Sequence, residues 1–118
     1  MDSSHLHQNV KFLIIIIMSL KKHFDAKKHI YKVTFTLSSD VANSSKRVNL
    51  VGDFNNWDIG STPMTKIKNG NYAVSIDLEE GKEFQFRYFI EGLGWLNEKD
   101  ADKQVLNKYS TENSVVVL

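Results

Sequence analysis

Two tryptophans, Trp57 and Trp95, are the side chains best suited to chemistry with a flat ligand. Trp57 closes the stretch Val48-Asn49-Leu50-Val51-Gly52-Asp53-Phe54-Asn55-Asn56-Trp57. That stretch begins as a strand of branched residues and stops at two adjacent amides, which favour a turn. Trp95 follows a second strand-like run and the turn Gly92-Leu93-Gly94. An indole covers an apolar surface, while amides and a guanidinium supply donors and acceptors in fixed directions. Two indoles beside such groups suit a flat, hydroxyl-rich ligand such as a sugar ring. The alternative is that both are half-buried core residues, since tryptophan is highly buried on average.

Other chemistries lack their residues. The acidic pairs Glu79/Glu80 and Asp100/Asp102 lie in short charged turns that read as solvated. Glycoside hydrolysis needs two carboxylates facing each other across a cleft, so no enzyme is expected. His5 and His7 fall in a polar N-terminal stretch, and His23 and His29 are isolated, so neither a metal site nor a cofactor is expected. The absence of cysteine excludes disulfides and thiolate chemistry and permits a reducing, cytoplasmic location. Neither Gly52-Asp53 nor Gly92-Leu93-Gly94 leads into a helix, as a phosphate loop would. Phe84-Gln85-Phe86-Arg87-Tyr88 superficially resembles the aromatic-basic strand of RNA-binding sheets. A net charge of +1, with no helices to support such a sheet, argues against nucleic acid. Asn43-Ser44-Ser45 is a glycosylation sequon only in a chain secreted by a eukaryote.

The elements that must position the indoles read as strands. At 118 residues, 42% hydrophobic and 25% charged, the chain has room for one globular domain. Val33, Phe35 and Leu37 alternate with Lys32, Thr34 and Thr36, which is a half-buried strand from Ile30. Arg47 to Gly52 is the next strand, and Met64 to Lys68 a short one ending at the hairpin signal Asn69-Gly70. Tyr72, Val74, Ile76 and Leu78 face inward, as do Phe84, Phe86, Tyr88 and Ile90, leaving Gln85, Arg87 and Phe89 on the opposite face. Glu98 to Lys103 reads as a charged loop, and Ser114 to Leu118 as the last strand. The pattern is an all-β sandwich of about seven short strands, with function on its loops or on one sheet face.

Residues 1–28 form a tail apart from the domain at 29–118. The run Phe12 to Met18 is too short for a stable membrane span. It admits three readings: translation starting late, at Met18; a signal or anchor, giving an exported or membrane-tethered protein; or a structural strand.

Leu50-Val51-Gly52-Asp53-Phe54-Asn55-Asn56-Trp57 resembles the glycogen-binding domain family, carbohydrate-binding module family 48, which shares its fold with the isoamylase N-terminal, early-set domain. The run Leu78 to Gly92, then Trp95, then Thr111-Glu112-Asn113-Ser114-Val115-Val116-Val117 continue the match in order. The resemblance runs from about residue 30 to Leu118 and is nearest the small stand-alone bacterial members. It implies an immunoglobulin-like, early-set β-sandwich of antiparallel strands, without catalytic activity, that binds α-1,4-glucan (glycogen, starch or maltodextrin). Carried over motif by motif, Trp57 and Trp95 would stack on the glucan, and Arg87 would take the place of a lysine. Thr111 and Asn113 would contact hydroxyls, and Tyr109 would stand where some members insert an aliphatic residue into the curve of the chain. Leu93-Gly94 adds a residue before Trp95, and arginine for lysine is not a neutral change. The rival expectation is an interaction module that partners a glycogen-metabolising enzyme in trans, with a degenerate sugar site.

Overall fold

The computed structural model describes residues 19–42 and 47–118. The run Phe12 to Met18, the start-site readings, His5, His7 and the sequon at Asn43 lie outside the described residues. Among those described, alternation becomes strand where the sequence reading places it. In β2 (Ile30–Leu37), Val33, Phe35 and Leu37 are buried. In β5 (Tyr72–Glu79), Tyr72 and Leu78 are buried while Val74 and Ile76 pack against the same core. In β6 (Glu83–Ile90), Phe86, Tyr88 and Ile90 are buried. Further strands are β3 (Val48–Gly52), β4 (Thr65–Lys66), β7 (Gly94–Leu96) and β9 (Glu112–Val117).

The strands form two antiparallel sheets packed face to face. One has the order β1-β2-β5-β4, where β1 is Leu20–Asp25. The other runs β3-β6-β9-β8, where β8 is Lys103–Leu106, and β7 also pairs with β6. Inward side chains of both sheets meet in one core. The rings of Phe35 and Phe86 cross edge to face at 5.0 Å, and Phe86 meets Tyr88 at 6.0 Å. Burying such aromatic faces is the main favourable contribution to folding a domain of this size. The chain does turn at Asn69-Gly70, but in a longer loop: Gly70, at φ 87°, donates its N–H to Ile67 O at 2.9 Å, and Ile67 N donates to Asn71 O at 2.8 Å. This is an immunoglobulin-like β-sandwich.

The structure has nine strands among the described residues, two more than the alternation marks. Both additions, β1 and β8, are sheet edges, where polar residues are tolerated and the period-two signal fades. In β1, Lys22 Nζ is held by Asp102 Oδ2 at 2.7 Å and by Val117 O at 3.0 Å. The strand expected at Met64 to Lys68 shrinks to Thr65–Lys66, because the turn at Ile67 to Asn71 takes up the rest. The charged loop from Glu98 is not wholly solvated. Glu98 is only 3% exposed, and its carboxylate accepts bonds from Tyr88 Oη at 2.7 Å and Ser19 Oγ at 3.0 Å. Burial first, and then the charge of Glu98, push the Tyr88 phenol well above its ordinary range. A one-turn helix, α1 (Ser39–Ala42), interrupts the loop after β2. No helix among the described residues is long and apolar enough to cross a membrane.

Candidate functional site

Gly52 ends β3 where the chain must pass close over β6. A Cβ there would lie 2.5 Å from Gln85 O and 2.8 Å from Phe86 Cβ, so only glycine fits without backbone movement. The next residues form a single 3-10 turn, Asp53–Asn55. Asn55 locks it: Oδ1 accepts from Gly52 N at 3.0 Å, and Nδ2 donates to Leu50 O and Thr62 Oγ1, both at 2.9 Å. Asn56 and Trp57 then take left-handed backbone angles, φ 55° and 58°. Asparagine tolerates that region; a bulky residue such as tryptophan rarely enters it. Two bonds hold Trp57 there. Its backbone N donates to Gly52 O at 2.9 Å, and its indole Nε1 donates to Asp53 Oδ1, also at 2.9 Å. The other oxygen of Asp53 accepts from Gln85 N at 2.7 Å, which ties the tryptophan loop to β6.

Gln85, Arg87 and Phe89 occupy the outer face of β6, away from the core, as the alternation implies. Trp95, on β7, pairs in register with Phe89 of β6. Its ring meets Phe89 edge to face at 5.0 Å, and the Arg87 guanidinium lies 5.6 Å from the ring centre, a cation–π distance. Trp95 is 43% exposed, and Trp57 is half-buried outside the core cluster. The extra residue before Trp95 leaves it on the face of Arg87. Two buried polar atoms here lack protein partners: Arg87 Nε, and Oδ1 of Asn49, the residue opposite Phe89 on β3.

The β8–β9 hairpin brings in the remaining residues. Tyr109 is at its tip, 75% exposed, with Lys108 Nζ 5.2 Å from the ring centre. Thr111 lies in the same turn, and Asn113 is on β9, its Nδ2 donating to Gln85 Oε1 at 3.0 Å. Asn107 joins them, with Nδ2 donating to Thr111 Oγ1 at 2.7 Å and to Asn113 Oδ1 at 3.1 Å. Hydrogen bonds therefore join Trp57 to Asp53 and Asp53 to the backbone of Gln85, while the Gln85 side chain continues through Asn113 and Asn107 to Thr111 on the outer sheet face. Trp95 and Arg87 stand beside it, and Tyr109 projects from its end.

Asp53, Gln85, Phe89 and Asn107 belong to this arrangement but are not among the side chains singled out from the sequence. Gln85 and Phe89 share the outward phase of Arg87, which was the available signal. Asp53 lies four residues before Trp57 in the same turn. Asn107 carried no signal, because its partners are fixed by a loop the sequence does not specify. Among the described residues no group of three or more His, Asp or Glu could hold a metal ion. Two hollows lie elsewhere: one of about 490 Å³ includes His23, Lys32 and Asp77 on the opposite sheet. The other, about 600 Å³, includes Leu37, Val41 and Ile67.

One sheet of the sandwich thus carries an exposed indole, several linked amides and a guanidinium. The family model for carbohydrate-binding module 48 (isoamylase N-terminal domain) matches residues 23–110, and the chain belongs to that family. A segment is 42% identical over 43 residues to an amylopullulanase of Thermoanaerobacterium thermosulfurigenes, covering 35% of this chain and 2% of the relative. Another is 44% identical over 45 residues to the 1,4-alpha-glucan branching enzyme GlgB of Aquifex aeolicus, covering 37% of this chain and 7% of the relative. The chain thus matches only a small part of either enzyme's length.

Proposed function

We propose that this chain is a non-catalytic module that binds α-1,4-linked glucan, with Trp57 and Trp95 stacking on pyranose faces. Arg87, Thr111 and Asn113 contact hydroxyls, and Tyr109 at the hairpin tip supplies a further apolar contact. The observation that carries this reading is the chain of hydrogen bonds linking Trp57 to Thr111 beside the exposed Trp95. It supports the reading because it ties an indole to a set of polar groups on the sheet that carries Trp95, an arrangement a polymer can meet without a cleft. Both relatives are named for enzymes of α-glucans, which agrees with the ligand class. Two stacking contacts and a few net hydrogen bonds of about 1 kcal/mol each give roughly 4–6 kcal/mol, or Kd from millimolar to tens of micromolar. A branched glucan offers repeated sites and raises the apparent affinity.

Affinity electrophoresis of the full chain in glycogen-containing gels tests the proposal. Retardation of the parent, lost in Trp57→Ala and Trp95→Ala variants that keep the parent's circular dichroism, is expected. No retardation of the parent at any glycogen concentration would discard the ligand and turn attention to a protein partner, such as a glycogen-metabolising enzyme in trans.

A further inference from the structure

The platform has a direction written into its amides. Asn107 Oδ1 accepts from two backbone N–H groups, Tyr109 N at 2.9 Å and Thr111 N at 3.2 Å. Backbone N–H can only donate, so the oxygen of Asn107 must face the loop and its Nδ2 must face outward to Thr111 and Asn113. The Asn107 Nδ2 then donates to Thr111 Oγ1 and to Asn113 Oδ1. That orients the Asn113 amide, whose Nδ2 donates in turn to Gln85 Oε1. Each step fixes the orientation of one amide: the carbonyl oxygens of Asn107, Asn113 and Gln85 turn towards protein donors, which leaves the Thr111 O–H and the Gln85 Nε2–H groups to donate elsewhere.

We propose that Asn107 is a positioning residue that polarises the site, so that it offers donors to the ligand and reads its oxygens as acceptors. The inference rests on the glucan reading for its ligand and on the hydrogen-bond order alone for its mechanism. Arg87 adds to the same polarity, because a guanidinium only donates. Its buried Nε has no protein partner.

Asn107→Asp is the discriminating substitution. The carboxylate still accepts from Tyr109 N and Thr111 N, so the turn is retained. Its second oxygen can no longer donate. The Thr111 hydroxyl turns inward to donate to it, the Asn113 amide flips, and Gln85 flips after it. Every internal bond survives in reverse, and the outward donors become acceptors. Two measurements on the full chain decide the matter. In ¹⁵N correlation spectra without ligand, the side-chain NH₂ signals of Asn113 and Gln85 should move in Asn107→Asp, with the backbone pattern and Tm held. Binding of maltoheptaose should weaken at least tenfold. Unmoved NH₂ signals, or affinity within twofold of the parent, would overturn the proposal. A parent that binds no glucan removes the ligand reading, and the NH₂ signals then decide the relay by themselves.

Discussion

Asp53 connects the two halves of the platform, and its removal has a calculable cost. Asp53→Ala deletes the acceptor for the Trp57 indole at 2.9 Å and the acceptor for Gln85 N at 2.7 Å. The second bond is charge-assisted and short, contributing about 1.5 kcal/mol at an exposed position, and the indole bond adds about 1 kcal/mol. The sum is about 2.5 kcal/mol, and at about 5 °C per kcal/mol for a domain of this size Tm falls by about 12 °C. Trp57 also loses one of the two bonds that hold it at φ 58°. Its emission should shift to the red and glucan affinity should drop, though less than in Trp57→Ala. Asp53→Asn keeps one acceptor and puts a second donor against either the indole or Gln85 N, so it recovers about half of the lost stability. Thermal melts followed by circular dichroism, with tryptophan emission in parallel, read both effects. A Tm for Asp53→Ala within about 2 °C of the parent, with unchanged emission, would show that Asp53 does not hold the loop to β6.

Gly52→Ala should be among the most damaging single-atom changes, since the new Cβ meets backbone oxygen at 2.5 Å. A loss of about 3 kcal/mol in urea unfolding is expected. Tyr88 should give the fold an alkaline limit. Its phenol is raised by burial and by Glu98, so the folded state keeps a proton that the unfolded chain releases. That contribution is complete below about pH 10 and is lost as pH rises towards the folded value. Tyr88→Phe should cost about 1.5–3 kcal/mol at pH 7, by removing the bond to the Glu98 carboxylate, and should flatten the decline above pH 10. Urea melts at pH 7 and pH 11 check both parts.

The central strands were legible because burying one face forces alternation. In β2, β5 and β6 that pattern identifies the core residues and leaves Arg87 outward. The Gly52 to Trp57 run was legible for a different reason. Several of its residues have local tasks, from the close approach at Gly52 to the clamp of Asn55. Edge strands were not legible. β1 and β8 carry lysine, histidine and glutamine, whose partners are set by distant chain segments, as Lys22 with Asp102 shows. Polar burial was likewise hidden. Nothing local distinguishes Glu98 from the charges around it, yet Tyr88, Ser19 and the Ser114 hydroxyl, which accepts its backbone N–H, enclose it. The same holds for Asn107 and Gln85, whose roles exist only once the hairpin has closed on β6.

The most direct test of the account is a titration of the ¹⁵N-labelled full chain with maltoheptaose, followed by nuclear magnetic resonance. The largest shifts should fall at the indole Nε1–H signals of Trp57 and Trp95 and at the amides of Gln85, Thr111 and Asn113. The opposite sheet, including Lys32 and Ser75, should stay still. Shifts confined to that opposite sheet, or none at millimolar sugar, would contradict it.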